Sequence, residues 1–401
     1  MKTNWESRAE KYLRGLLLAF AFTLPITLSL AEGFLFLSVI PGLYLLFRYP
    51  ARRPGWRDPL TIMTLVYLLF VLISFTWSSR PLSSLRKIHR FGFFFLLPAW
   101  HLAWPQGQAR SGLRRGVIAL LLGIALLGVY DLIRIPWTLL RLPADLPRAD
   151  RLQAWFDAGN MRDPQIYLVG LCLLLPLGSA PLGARWRAWR WPARVLYAAG
   201  LLLHFKRGAW AATLLALGAQ WAMRRRWRAL AGLLILVIAV LLLPPVRARL
   251  AQIPQEFNPR TGGRASIWLE AVPALRRDYP HGIGWHALKH EDLAQRSRWL
   301  QDLNHAHNNL LQEWVELGWP GAVIWLVWML AALGRALRLS RAGDPATSAY
   351  GVALFGALLG LLLNGCVESN FRDSEILMTF ALLFAWLLMA GRMPAETPPA
   401  E

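Results

Sequence analysis

The sequence predicts an all-α, polytopic membrane protein with about twelve transmembrane helices and one long loop outside the bilayer. Three observations carry that prediction. Of 401 residues, 56% are hydrophobic, and they gather into runs close to the roughly 20 residues a helix needs to cross a bilayer core. The runs lack the alternation of barrel strands, and only helices or closed barrels span lipid with their backbone groups satisfied. Between the runs, alternate connections are short and rich in arginine, as cytoplasmic loops are.

In chain order the apolar stretches lie at 15–30, 32–47, 59–77, 91–104, 117–137, 166–182, 195–205, 208–223, 229–243, 321–337, 348–367 and 375–390, the fourth and seventh being short. With the N-terminus inside, the inner loops are RYPARRPGWRD, PQGQARSGLRRG, GARWRAWRWPAR, RRRWR and RALRLSRAG. That pattern favours both termini in the cytoplasm. The chain then divides into residues 1–243 (the first nine helices), 244–320 (a large outer loop), 321–390 (the last three helices) and 391–401 (a Pro-rich cytoplasmic tail). The N-terminal MKTNWESRAEKYLRG is amphipathic and has no small-residue cleavage site, so no removable signal is expected. Cys172 and Cys366 each sit in an apolar run, as packing residues rather than a disulfide or metal pair.

Charge gives the first functional clue. Lys and Arg number 44 against 23 Asp and Glu, a net charge of +21. Because the basic residues are divided between two sides of a membrane, nucleic acid is not the expected partner. The outer side nevertheless keeps many of them. Arg80, Arg86, Lys87 and Arg90 share one loop, and Arg134, Arg141, Arg148, Arg151 and Arg162 surround another. Lys206 and Arg207 occupy a tight turn, more follow in 244–320, and Arg372 precedes the last helix. Snorkelling to lipid headgroups accounts for some. Their excess over outer carboxylates points to an anionic ligand, most simply a phosphate or diphosphate.

The large loop holds the titratable clusters. TGGRASIWLEAVPAL predicts a helix over 263–277, with Arg264 in its first turn and Trp268, Leu269 and Val272 on an apolar face. In PHGIG, Gly282 and Gly284 allow a sharp turn with positive φ. LNHAHNNLLQEWVELGWPG predicts a second helix. His307, Leu310, Leu311, Trp314, Val315 and Gly318 fall at helical spacing as an inward stripe, with Asn304 or His305 as the cap. Farther upstream, NMRDPQIY reads as a helix start with Asp163 before Pro164, and with Asn160 and Arg162 near a site. Three readings of His307 stand side by side. It caps or packs at an interface; it binds a metal with His305, near His281, His286 and Asp302, though no Cys or HExxH helix accompanies it; or it is a general base.

Taken in order, these segments resemble the O-antigen ligase/polymerase superfamily. GGRASIW, YPHGIG and HAHNNLLQEWVELG follow that family's Arg-then-Trp, G-x-G and H-N-x-x-L-x-x-x-x-E-x-G pattern. The matching residues are Arg264, Trp268, Gly282, Gly284, His307, Asn308, Leu311, Glu316 and Gly318. FKRGAW is similar to the family's Ser-Arg-Gly element, with Lys206 in place of the usual serine. The resemblance implies a C-type glycosyltransferase-like fold in the bacterial inner membrane with a periplasmic active site. It implies a glycan donor on undecaprenyl diphosphate, a lipid A-core hydroxyl as acceptor, inversion at the sugar, and no metal or other cofactor. His307 would act as base, with Arg264 and Arg207 on the diphosphate. Lys206, Arg80, Arg86, Arg90, Arg148, Arg151, Asn308 and His305 would bind substrate, while Glu316 and Trp268 orient the helix and ring. A polymerase extending the glycan on its carrier shares the signature, and the protein O-oligosaccharyltransferase branch commonly carries a further C-terminal region. A lipid-linked glycan transporter would need mid-span charges and paired broken helices, and the sequence shows few.

Overall fold

A computed structural model of the chain describes residues 4–49, 58–143, 145–177, 179–183, 186–258, 263–288 and 305–393. Among them every regular element is helical. The helices are α1 (Asn4–Thr23), α2 (Leu28–Arg48), α3 (Pro59–Ser74), α4 (Pro81–Arg86), α5 (Leu96–Ala103), α6 (Ala109–Leu140), α7 (Arg148–Ala158), α8 (Asp163–Leu174), α9 (Ser179–Leu182) and α10 (Trp186–Leu203). They continue with α11 (Arg207–Met223), α12 (Trp227–Leu241), α13 (Pro244–Leu250), α14 (Ile253–Glu256), α15 (Arg264–Ser266), α16 (Val272–Asp278), α17 (Asn309–Ser340), α18 (Pro345–Asn364) and α19 (Ser374–Ala390). A π turn, Ile267–Ala271, joins α15 to α16, so the helix expected over 263–277 is present with one widened turn.

Each apolar stretch lies on a helix, but boundaries move where proline removes a backbone donor. α1 takes in the amphipathic N-terminal segment and stops before Pro25, short of the expected 30. α8 ends ahead of Pro176, leaving α9 as a separate turn, whereas α10 absorbs the WRAWRW loop. By length and composition four described helices can cross a membrane, α2, α6, α17 and α18. α12 with its continuation makes a fifth, bent by 86°. α3, α8 and α19 are shorter apolar helices.

Burial sorts the helices. α19 is apolar on all sides and almost wholly buried, which makes it an axis of the core rather than a lipid-facing element. α12 buries no residue and lies at the periphery. The double proline that opens α13 turns the chain sharply after α12 and carries Arg249 back toward the start of α11.

α17 is interrupted where the site is built. Gly318 leaves the helical region at φ 73°, and Pro320 has no N–H for the carbonyl of Glu316 four residues earlier. The Val315 and Glu316 carbonyls instead accept from Ile283 N (3.0 Å) and Gly284 N (2.9 Å), and Ser79 N donates to the Ile283 carbonyl at 2.9 Å. The G-x-G turn is therefore threaded between α17 and the loop before α4. Gly282 has φ 95°, and a Cβ on it would meet the Glu316 oxygen at 2.5 Å and the Gly318 nitrogen at 2.6 Å. Both are backbone atoms that cannot swing aside. Gly282→Ala should lower stability by about 1–3 kcal/mol. Gly334→Ala, in open space on the same helix, should leave it unchanged or raised. Tryptophan-fluorescence melts of the two variants in detergent compare them directly; equal midpoints would refute the threading argument.

The expected inward stripe on α17 holds at Val315 and Gly318, which are buried, and at Leu311 and Trp314, which pack on the same apolar cluster, but fails at Leu310. Leu310 is exposed, and the buried face begins with Asn309, Gln312, Glu313 and Glu316 beside Val315. Polar groups win the interior because each finds a partner there, as described next. The cap is Asn308, whose Oδ1 accepts from Leu311 N at 3.0 Å; Asn304 lies outside the described residues, as does Asp302.

Candidate active site

Glu368, in the turn after α18, is the meeting point. Arg264 donates through Nη2 to Glu368 Oε1 at 2.5 Å and through Nε to the Val367 carbonyl at 2.9 Å. His307 Nδ1 lies 3.3 Å from the other carboxylate oxygen. Burial alone would raise the Glu368 pKa, but the His307 hydrogen bond and the Arg264 charge, helped by His305, hold it below the usual range. An ionised carboxylate only accepts. Nδ1 of a neutral His307 therefore carries the hydrogen, and Nε2 presents its lone pair outward. The sequence surrounds this ring with cations; the structure sets a carboxylate against it.

The backbone holds the ring there under strain. His307 immediately precedes the cap Asn308 and has φ 50°. Phe205 (51°), whose carbonyl anchors Arg249, and His286 (57°), which lines the larger cavity, share that region. Such conformations persist where the surroundings over-determine them. Around His307, Trp268 Nε1 donates to the Ala306 carbonyl at 2.9 Å, Asn308 N donates to Ser369 Oγ at 3.1 Å, and Asn308 Nδ2 donates to the Cys366 carbonyl at 3.0 Å. The Asn308 polar groups are thus engaged with the protein, and the residue buttresses the site.

Two cavities meet at Glu368. The smaller, about 210 Å³, is lined by Lys206, Arg207, Arg249 and Arg264, with Glu368 the one carboxylate among its described lining residues. Arg207 Nη1 donates to the Arg249 carbonyl at 2.7 Å, and Arg249 Nε to the Phe205 carbonyl at 3.2 Å. Burial first, then Arg249 and Arg264, pull the Arg207 pKa down to about 10, so it stays cationic at neutral pH. The first turn of α11 also lines this cavity and adds backbone N–H groups without intrahelical partners. Gly208 permits that approach, because a Cβ there would strike Val367 Cγ2 at 2.7 Å. The arrangement suits a compact, multiply charged anion.

The larger cavity, about 540 Å³, is lined by Arg90, His286, His305, Gln312, Glu316 and Arg372, among others. Arg372 is buried between Glu313 (2.9 Å) and Glu316 (2.7 Å), and Glu316 also accepts from His286 N at 3.0 Å and Gln312 Nε2 at 2.8 Å. Arg90 reaches His286 Nε2 at 3.0 Å and the Arg372 carbonyl at 2.5 Å. His305 packs at a tilt against His307, with ring centroids 4.0 Å apart and 47° between their planes. One ligand atom each from His305, His307 and Glu368 lie within 4.8 Å of one another, a spacing that a metal ion can bridge.

Residues 192–326 match the family model described as O-Antigen ligase. This stretch is similar to the O-antigen ligase superfamily. A comparison with curated proteins finds no match. Lys206, Arg207, Arg249, Arg264, His305 and His307 lie within the O-antigen ligase match, while Glu368 and Arg372 join it from the last interhelical turn. The structure brings Arg90, Lys206, Arg207, Arg264, His305 and Glu316 to the two cavities, with His307 reaching them through Glu368 and with Trp268 and Asn308 behind. Arg80 and Arg86 stand exposed on the α4 segment, and Arg151 bonds to carbonyls of its own loop, all outside both cavities. The Arg148 side chain is outside the described residues.

Sequence reasoning missed Arg249, Gln312, Glu313 and Glu368 as members of the site, and named His286 only in the metal reading. The signal for Glu368 was the polar VESNFRDSE between two apolar runs. Arg249 left no local signal. NMRDPQIY adjoins the site: Met161 lines both cavities and Gln165 the larger one, Asn160 Oδ1, not Asp163, accepts at the start of α8 (2.8 Å), and Arg162 binds Asp163 at 2.6 Å. Behind it, fully buried Asp131 holds His204 Nε2 at 2.9 Å, Tyr167 at 2.8 Å and Arg134 at 3.0 Å.

Proposed function

We propose that this chain is an inverting glycosyltransferase of the bacterial inner membrane, moving O-antigen from undecaprenyl diphosphate to a lipid A-core sugar hydroxyl at the periplasmic face. The observation that carries the reading is the meeting of a cation-lined cavity with a histidine whose Nδ1 faces a carboxylate, both at Glu368. In this mechanism the donor diphosphate lies among Arg207, Arg249, Arg264 and Lys206, and the acceptor sugar occupies the larger cavity. The acceptor oxygen attacks the anomeric carbon from the face opposite the phosphate. As the new glycosidic bond forms, the bond from carbon to phosphate oxygen breaks, and undecaprenyl diphosphate leaves with that electron pair. His307 Nε2 takes the hydroxyl proton and later yields it to water. Charge on the leaving group is met by fixed guanidinium groups, the preorganised stabilisation that accelerates such displacements.

On this reading the arginines do the work of a divalent cation. Transfer by the purified chain, with lipid-linked glycan and lipid A-core in detergent, should be indifferent to EDTA. Loss on chelation and recovery with a divalent ion would make His305, His307 and Glu368 a metal site instead. The glycans of a strain lacking the gene separate ligation from polymerisation. Long chains stranded on the carrier are expected; single repeats attached to core would identify a polymerase.

A further inference from the structure

We infer that a second phosphate-binding site, for a phosphate ester carrying a hydroxyl donor, lies at the opposite end of the helices that build the active site. The site is a cavity of about 470 Å³ between the start of α6, the end of α11 and the start of α18. α18 runs from this cavity to the cationic one: Pro345 lines the first and Asn364 the second. Its 20 residues span about 30 Å, the thickness of a bilayer core. The two sites therefore belong to opposite membrane faces, and one ligand cannot bridge them.

Arg110, Arg114, Arg224 and Arg226 line the cavity, and no carboxylate does among its described lining residues. Arg110 is held at the edge by Asp344 at 3.1 Å. Arg114 is fixed by its Nε bond to the Leu182 carbonyl at 3.1 Å, and Gly183 makes room for it, since a Cβ there would meet Nη2 at 2.4 Å. Gln220 supplies the second observation. This side chain is 1% exposed, and its Nε2 faces the carbonyls of Cys172 (2.9 Å) and Val352 (3.0 Å), which fixes the amide orientation. Its Oε1 is left buried with no partner, on a residue that lines the cavity beside the four arginines and an apolar wall that includes Leu175, Trp221 and Val352. A buried acceptor needs a donor. Guanidinium groups for a phosphate and one acceptor for a hydroxyl together fit a glycerophosphate headgroup, and basic pockets between helices are where anionic headgroups bind.

Native mass spectrometry of the full purified chain tests this with phosphatidylglycerol and phosphatidylcholine titrated in parallel. Wild type should retain phosphatidylglycerol in preference. Arg224→Gln with Arg226→Gln, at an exposed turn, should weaken retention about tenfold. Ser111→Glu, which puts a carboxylate at the exposed rim without touching an arginine, should do the same. Equal retention of the two lipids by wild type, or unchanged retention in both folded variants, overturns the site. Soluble glycerol 3-phosphate identifies the source: competition points to a ligand from solution and its failure to a bilayer lipid, both consistent with the phosphate site.

Discussion

His307→Ala is expected to lower glycan transfer by about 10²- to 10⁴-fold, the contribution of a positioned general base. Donor binding should survive, because the cations of the smaller cavity are held by their own contacts, Arg207 to the Arg249 carbonyl and Arg249 to the Phe205 carbonyl. The fold should survive as well. His307 precedes the α17 cap, and the loop stays tied by Trp268 to Ala306 and by Asn308 to Ser369. Turnover of the reconstituted variant, measured beside its retention of lipid-linked donor, gives both quantities. Undiminished turnover would end the assignment of the base.

Glu368→Gln separates two roles that one carboxylate performs. As the acceptor for His307 Nδ1 it selects the tautomer and stabilises the imidazolium that forms in the transfer; as the partner of Arg264 it competes with a diphosphate for the same guanidinium. The amide keeps the shape and removes the charge. Turnover should fall about 10²-fold or more, while the KM for donor stays level or drops as the cavity becomes more cationic. A merely structural Glu368 would move neither number in that direction once folded protein is compared. The variant also predicts a change with acid. The folded-state pKa of Glu368 is depressed, so its ion pair contributes stability fully above the ordinary carboxylate range and loses it as pH falls through the depressed value. That acid-side loss should be missing from unfolding curves of Glu368→Gln.

Much of the molecule is written in local pattern. Apolar runs specify helices because a backbone in lipid must satisfy itself, and prolines at 25, 59, 176 and 345 mark where helices stop or start for want of a donor. The order of Arg264, Gly282, Gly284 and His307 was equally legible, since motif spacing is a property of the chain. What misled was periodicity on α17: spacing marked Leu310 as inward, yet polar Gln312, Glu313 and Glu316 face the interior. Helical period identifies a face but says nothing of which face finds partners, and here Arg372 arrives from another helix pair to supply them.

By itself, then, the sequence determined the class of fold, the excess of positive charge and the motif order that singles out His307, Arg207 and Arg264 as candidates. Tertiary structure alone decided that Glu368 stands between them, that Arg249 returns around the α12–α13 bend, and that Arg80, Arg86 and Arg151 lie elsewhere. The physical reason is range. Backbone satisfaction and helix propensity act over a few residues, whereas an ion pair such as Arg264 with Glu368 joins side chains 104 positions apart and exists only once the helices between them have packed.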